Sequence, residues 1–154
     1  VSASVRGLTE SEQADEAIAD RMRNLTPVLQ VLAQDLRTLI DDAFDQSRSP
    51  MGQPWAPLKP ATIKRRRKGS SKPLVDTGRL RNSVAVRAKP RSIEFGSNVS
   101  YAAPQQFGTS AIPGRAFLPI TPSGQFGESG AAGEFLHNLD EAIAKYIETG
   151  EMPR

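Results

Sequence analysis

Leu74-Val75-Asp76-Thr77-Gly78-Arg79-Leu80-Arg81-Asn82-Ser83 runs from a basic, Gly/Ser-rich segment into Val84-Ala85-Val86-Arg87-Ala88, where apolar and polar residues begin to alternate. One turn here has to end a loop, start a short helix and aim a strand. Asp76 or Thr77 is the expected N-cap, because a short side-chain oxygen accepts a hydrogen bond from backbone N–H groups two or three residues on. Gly78 allows a positive φ at little steric cost, and Leu80 is the apolar anchor between Arg79 and Arg81. Beyond the turn, Val84, Val86 and Ala88 alternate with Ala85 and Arg87, Ile93 and Phe95 flank Glu94, and Lys89-Pro90-Arg91 separates the two runs. Period-two alternation across a short polar break predicts a β-hairpin with one face on the core.

Upstream of the turn the pattern is helical. Thr9 and Glu12 have capping-box spacing, and acids crowd the turn that follows, so a helix should start at Thr9. Thr26-Pro27 interrupts it: proline disfavours a helical residue before it but suits the first turn of a new helix. A second helix is predicted over 27–46, since Val28, Leu29, Leu32, Leu36, Leu39, Ile40, Ala43 and Phe44 recur at three and four residues. That face is expected to pack on the sheet rather than bind a partner. From Ser47 to Pro60 the prolines demand an extended or turning chain, pinned to the core by Trp55 and Leu58. Pro60 to Lys68 suggests a short helix, and residues 64–72 a mobile basic loop ending in the linker Gly69-Ser70-Ser71. The first eight residues carry no clear pattern and suggest a flexible arm or a strand lent to a neighbour.

Downstream of the hairpin, Phe117 to Ile120 is expected as a third strand and Pro122 to Gly133 as a loop or mobile arm. A last helix is predicted over 133–149 on the face Phe135, Leu136, Leu139, Ile143, Tyr146 and Ile147, with Gly150 as its stop. The fold class is therefore α+β: a small antiparallel sheet within residues 83–120, covered by a long N-terminal and a C-terminal helix, with extended loops. A chain of 154 residues suits one domain with one modest core.

A formal charge of +3 conceals a strong polarity. Residues 1–45 carry −5, residues 46–93 carry +12 with Asp76 as their one acid, and residues 94–154 carry −4. Blocks of opposite sign favour head-to-tail contacts and polyanion binding; a solvated face is the plain alternative for each block. No stretch is long and apolar enough to span a bilayer, so no membrane contact is expected and synthesis in the cytoplasm is.

The sequence offers little from which to build catalysis. There are no cysteines, and the lone histidine, His137, lies among acids on an amphipathic helix, where a solvated position is expected. Asp41, Asp42 and Asp45 lack the spacing of a calcium loop and read as a helix's polar side. Lys68-Gly69-Ser70-Ser71 has the residues of a phosphate loop in the wrong order. No enzyme activity, cofactor or metal is expected. The run Lys64, Arg65, Arg66, Arg67 and Lys68 has three readings: a solvated loop, a contact to an acidic neighbouring subunit, or a non-specific contact to DNA phosphate. No aromatic residues interleave it for base stacking.

Four segments recur in a telling order: Gly52-Gln53-Pro54-Trp55-Ala56-Pro57-Leu58, then Leu74 to Ser83, then Tyr101-Ala102-Ala103-Pro104-Gln105-Gln106-Phe107-Gly108, then Ile112-Pro113-Gly114-Arg115-Ala116-Phe117-Leu118. Their order over about residues 44–118 resembles the virion morphogenesis, or tail-completion, proteins of tailed bacteriophages, particularly the Mu-like group. The chain departs from that pattern at Pro104-Gln105 and at Gly114 to Leu118. The resemblance implies a short helix at Tyr101 to Phe107. It further implies a structural protein of the head-tail junction, acting in the neck as a homo-oligomeric ring of six subunits or a multiple, with DNA in the bore and other neck and tail proteins as partners. It would be assembled in the host cytoplasm and reside in the virion. A basic, non-enzymatic nucleic-acid-binding module is the alternative. Asp76, Arg79, Arg81, Gln106 and Arg115 are the interface candidates; a local cap or brace is the better expectation for Asp76 and Gln106. The three arginines are favoured because a guanidinium presents a rigid fork of donors to carboxylates.

Overall fold

The computed structural model describes residues 9–154. The arm expected over the first eight residues lies outside the described residues. Helix α1 spans Glu10–Arg23 and begins with the expected capping box: Thr9 Oγ1 accepts from the Glu12 N–H at 3.2 Å, and the Glu12 carboxylate accepts from the Thr9 N–H at 2.7 Å. The Thr9 bonds hold the Glu12 carboxyl below its ordinary value. Helix α2 spans Thr26–Gln46 with Pro27 in its first turn and Ser47 closing it in the left-handed region. All of the expected α2 face is buried except Leu39, which is half-buried.

β1 (Val84–Lys89) and β2 (Ser92–Ser97) form an antiparallel hairpin, pairing Val84 with Ser97 and Lys89 with Ser92. Its inner residues Val84, Val86, Ala88, Ile93 and Phe95 pack towards α2, as the alternation requires. Among the described residues the sheet has two strands. Two strands alone are marginal in water, so α2 supplies the missing stabilisation. The third strand expected at Phe117–Ile120 does not form; only an isolated bridge links Ile120 to Phe126. Gln106 takes the place of a partner strand there. Its Oε1 accepts from the N–H groups of Phe117 and Leu118, both at 2.9 Å, and its Nε2 donates to the carbonyls of Leu118 and Ile120, both at 3.0 Å.

Helix α6 spans Gly130–Thr149, three residues earlier than expected, and packs on α2 and α1. The Ala132 N–H donates to the Pro50 carbonyl at 2.9 Å, so the loop after α2 satisfies a donor at the start of α6. The loop between Pro122 and Gly130 is not a free arm: Phe126 stacks on Phe135 at 5.8 Å and meets the Phe95 ring edge at 5.9 Å. At the centre, Phe44 and Phe117 are fully buried 5.5 Å apart. Trp55 meets Phe44 edge-on at 5.7 Å and donates through Nε1 to the Ala116 carbonyl at 2.9 Å, so it pins the proline-rich segment as expected.

Candidate functional site: a basic and apolar cleft

Three short helices position the site. α3 spans Pro60–Arg65 and is followed by a 3-10 turn over Arg67–Gly69; α4 spans Arg79–Ser83; α5 spans Ala102–Phe107, where the resemblance implied a helix. The N-cap of α4 is Gly78 itself, at φ 78°, and no side chain caps the helix. Neither Asp76 nor Thr77 is the expected cap, because the left-handed turn at Gly78 carries both residues outside the helix. Thr77 Oγ1 accepts only a long bond, 3.4 Å, from the Arg79 N–H.

These elements and the loops between them enclose an open cleft of about 500 Å³. Leu58, Lys59, Thr62 and Arg66 form one side, Leu74 and Asp76 to Leu80 another, and Tyr101, Gln105, Ile112, Pro113 and Arg115 the rest. Each of the four motif segments thus reaches one place, although they are scattered along the chain. The lining combines apolar surface with four cations, Lys59, Arg66, Arg79 and Arg115, against the single acid Asp76. Leu74 reaches the cleft from a left-handed backbone, φ 58°, a conformation that costs a bulky residue on the order of 1–3 kcal/mol. On the opposite side Gly108 and Gly114 cross so closely that a Cβ on Gly108 would lie 2.5 Å from the Gly114 nitrogen. This crossing holds the Ile112-Pro113 wall in place.

The interface candidates separate into two groups. Asp76 and Arg79 are exposed in the cleft, without an ion-pair partner among the described residues. Arg115, 7% exposed, lies at the floor and donates through Nε to the Ala56 carbonyl at 2.7 Å and through Nη2 to the Pro57 carbonyl at 3.1 Å. Burial first, and the nearby Arg66 second, push its guanidinium below the ordinary value, yet an arginine stays charged. Gln106 is the brace described above. Arg81 grips α2: its Nε donates to Asp41 at 2.9 Å and its two terminal nitrogens reach both oxygens of Asp45 at 2.7 and 3.1 Å. Arg37 donates to the same Asp41 carboxylate at 2.9 Å and to the carbonyl of Val84.

This network shifts the carboxylates. Burial raises Asp41, but hydrogen bonds and charge from Arg37 and Arg81 outweigh it and hold the carboxyl below its ordinary value. The bond from Arg81 does the same to Asp45 and, reciprocally, Asp45 and Asp41 raise Arg81. Asp41 and Asp45 are therefore ion-pair acceptors, where the sequence suggested only a polar helix face. The i, i+4 spacing of Arg37 and Asp41, one helical turn, was the available signal for Asp41, and nothing local marked Asp45 as the partner of Arg81.

The basic run divides in the same way. Lys64, Arg65, Arg67 and Lys68 are exposed, whereas Arg66 turns inward and donates to the carbonyls of Lys72 and Val75. His137 is exposed on α6, 3.5 Å from Glu141. Among the described residues no cluster of acids and histidine could hold a metal, and no helix is long and apolar enough to cross a membrane.

The cleft lining thus combines apolar side chains with cations and holds no histidine. The chain belongs to the phage virion morphogenesis family, whose profile matches residues 8–129. The matched span contains every cleft residue and stops just before α6. No curated protein and no solved structure matched the chain.

Proposed function

We propose that this chain is a non-catalytic structural protein of the phage head-tail junction, assembling as a ring of six subunits or a multiple and joining the tail to the DNA-filled head. The observation that carries the reading is the convergence of the four motif segments on one basic, partly apolar cleft. The acids that would complement it lie elsewhere: Asp15 and Glu16 on α1, and Glu134, Asp140 and Glu148 on α6, are exposed and have no ion-pair partner among the described residues. A surface with opposite charge on separate patches suits heterologous contacts, which close into rings when the rotation allows. In that ring Arg79 and Lys59 meet a neighbour's carboxylates, while Arg81, Gln106 and Arg115 hold the cleft in shape.

Lysates of a phage lacking the gene provide the test. Electron microscopy should show DNA-filled heads and finished tails that fail to join. Joined, infectious particles would contradict the junction role, and empty shells would assign the protein to packaging.

The exposed cations Lys64, Arg65, Arg67 and Lys68 favour a second contact, with DNA in the bore. Phosphate contacts release counterions, so affinity for random duplex should fall steeply with salt. Binding that is strong and dominant over self-association would favour the nucleic-acid-binding module instead.

A further inference from the structure

We propose that copies of the chain meet head to tail: the joint where α1 and α6 end on one copy, carrying Met22, Glu148 and Met152, seats in the cleft of the next. The proposal deepens the self-assembly reading above, on which it rests, by naming the surface that the cleft receives.

Among the described residues the exposed large apolar side chains are Met22, Tyr101, Phe107 and Met152. They gather in two places. Met22 lies in the last turn of α1 and Met152 just past α6. These helix ends are joined, since Arg21 donates to the Ile147 carbonyl and a Cβ on Gly150 would touch the Arg21 guanidinium at 3.4 Å. Tyr101 and Phe107 bracket α5, and Tyr101 stands in the cleft wall. Methionine and aromatic side chains are enriched in the cores of protein interfaces, and a flexible thioether fits an irregular apolar wall.

Charge is divided in the same way. The two helices that form the joint carry nine acids against Arg21, Arg23 and Lys145, and Arg154 beyond α6 offsets one of them. Asp20 is spent on Arg23 and Glu151 on Lys145, but Glu148 is exposed without an ion-pair partner among the described residues. The cleft has the opposite surplus. Lys59 and Arg79 are exposed and unpaired among the described residues, and Nη1 of the buried Arg115 has no acceptor among them. A guanidinium with an open donor beside apolar surface favours an incoming carboxylate.

The two surfaces lie at opposite ends of the molecule. α2 starts beside the joint, where its N-cap Leu25 donates to the carbonyl of Pro90 in the hairpin turn. It ends where Arg81 of α4 holds Asp41 and Asp45, and Arg79 and Leu80 of the same α4 line the cleft. The length of α2 puts about 30 Å between the two, so the joint does not reach the cleft of its own chain. Two different patches at opposite ends make a heterologous contact, the kind that repeats around a ring or along a filament.

The chain has no cysteine, so introduced thiols are unique. Met22→Cys and Met152→Cys at the joint, and His137→Cys on the outer face of α6, would each be combined with Ala111→Cys in the cleft wall of the full chain; all four positions are exposed. With the single variants as background, a short bismaleimide should give ladders of covalent multimers from the Met22 and Met152 pairs and at most traces from the His137 pair. Ladders no stronger than those from His137, or cross-links confined within single chains, would overturn the proposal. Sedimentation velocity of the unmodified protein separates the two readings: rings without joint-to-cleft cross-links remove this docking alone, whereas ladders without a closed species uphold the docking and remove the ring.

Discussion

Trp55 and Gln106 hold loops where no regular element does. Trp55 is buried against Phe44 and bonds the Ala116 carbonyl, so Trp55→Ala should destabilise by about 3–5 kcal/mol, the usual cost of removing a buried aromatic. Gln106 makes four hydrogen bonds to the Phe117–Ile120 segment. Gln106→Ala leaves buried backbone groups without partners and should cost on the order of 3 kcal/mol. Lys64, exposed in α3, is the control, with an expected change within about 0.5 kcal/mol. Denaturant unfolding measures all three, and a Gln106→Ala curve resembling that of Lys64→Ala would contradict the brace. Trp55 was legible in the sequence as a lone tryptophan among prolines. Gln106 was singled out, but its partners were not, because a carboxamide standing in for a strand leaves no periodicity.

At the scale of elements, α2, α4 and β1 are tied by Arg37, Asp41, Arg81 and Asp45. Both carboxyls titrate below their ordinary value when folded. Their stabilisation is therefore complete above the unfolded carboxyl value, about 4, and is lost as the pH falls below it through the folded values. Melting temperature followed from pH 6 to pH 2 should fall in that acid range, and Asp41→Asn should flatten part of the fall. An unchanged profile in Asp41→Asn would remove the network from the stability of the α2–α4 junction. The long helices and the hairpin were readable because their periods of 3.6 and two extend over enough residues to stand out. The missing third strand and the four-residue network were not, since both depend on which distant side chain reaches a given backbone or carboxylate. Gly78 illustrates the boundary: its positive φ was foreseen, but not that the same turn displaces Asp76 and Thr77 from the cap.

For the whole molecule, charge is sorted between surfaces. Exposed cations gather along residues 59–79 and on the hairpin, and among the described residues exposed acids without an ion-pair partner lie chiefly on α1, α2 and α6. The sorting was visible as blocks in the sequence, but the cleft was not, because the four segments that line it are brought together only by the fold. Arg115 shows why the distinction matters. Arg115→Glu would bury a carboxylate against the Ala56 and Pro57 carbonyls, so it would damage the cleft rather than test the contact. Lys59 and Arg79 are exposed on the rim, and changing both to Glu reverses the rim charge with little expected loss of fold. The most direct measurement is the mass distribution of the purified protein against concentration and salt, by sedimentation velocity. The wild type should form one closed species of six subunits or a multiple that weakens as salt rises. The Lys59→Glu, Arg79→Glu double variant should remain monomeric while melting like the wild type. A double variant that assembles as well as the wild type would contradict the claim that this cleft receives the neighbouring subunit.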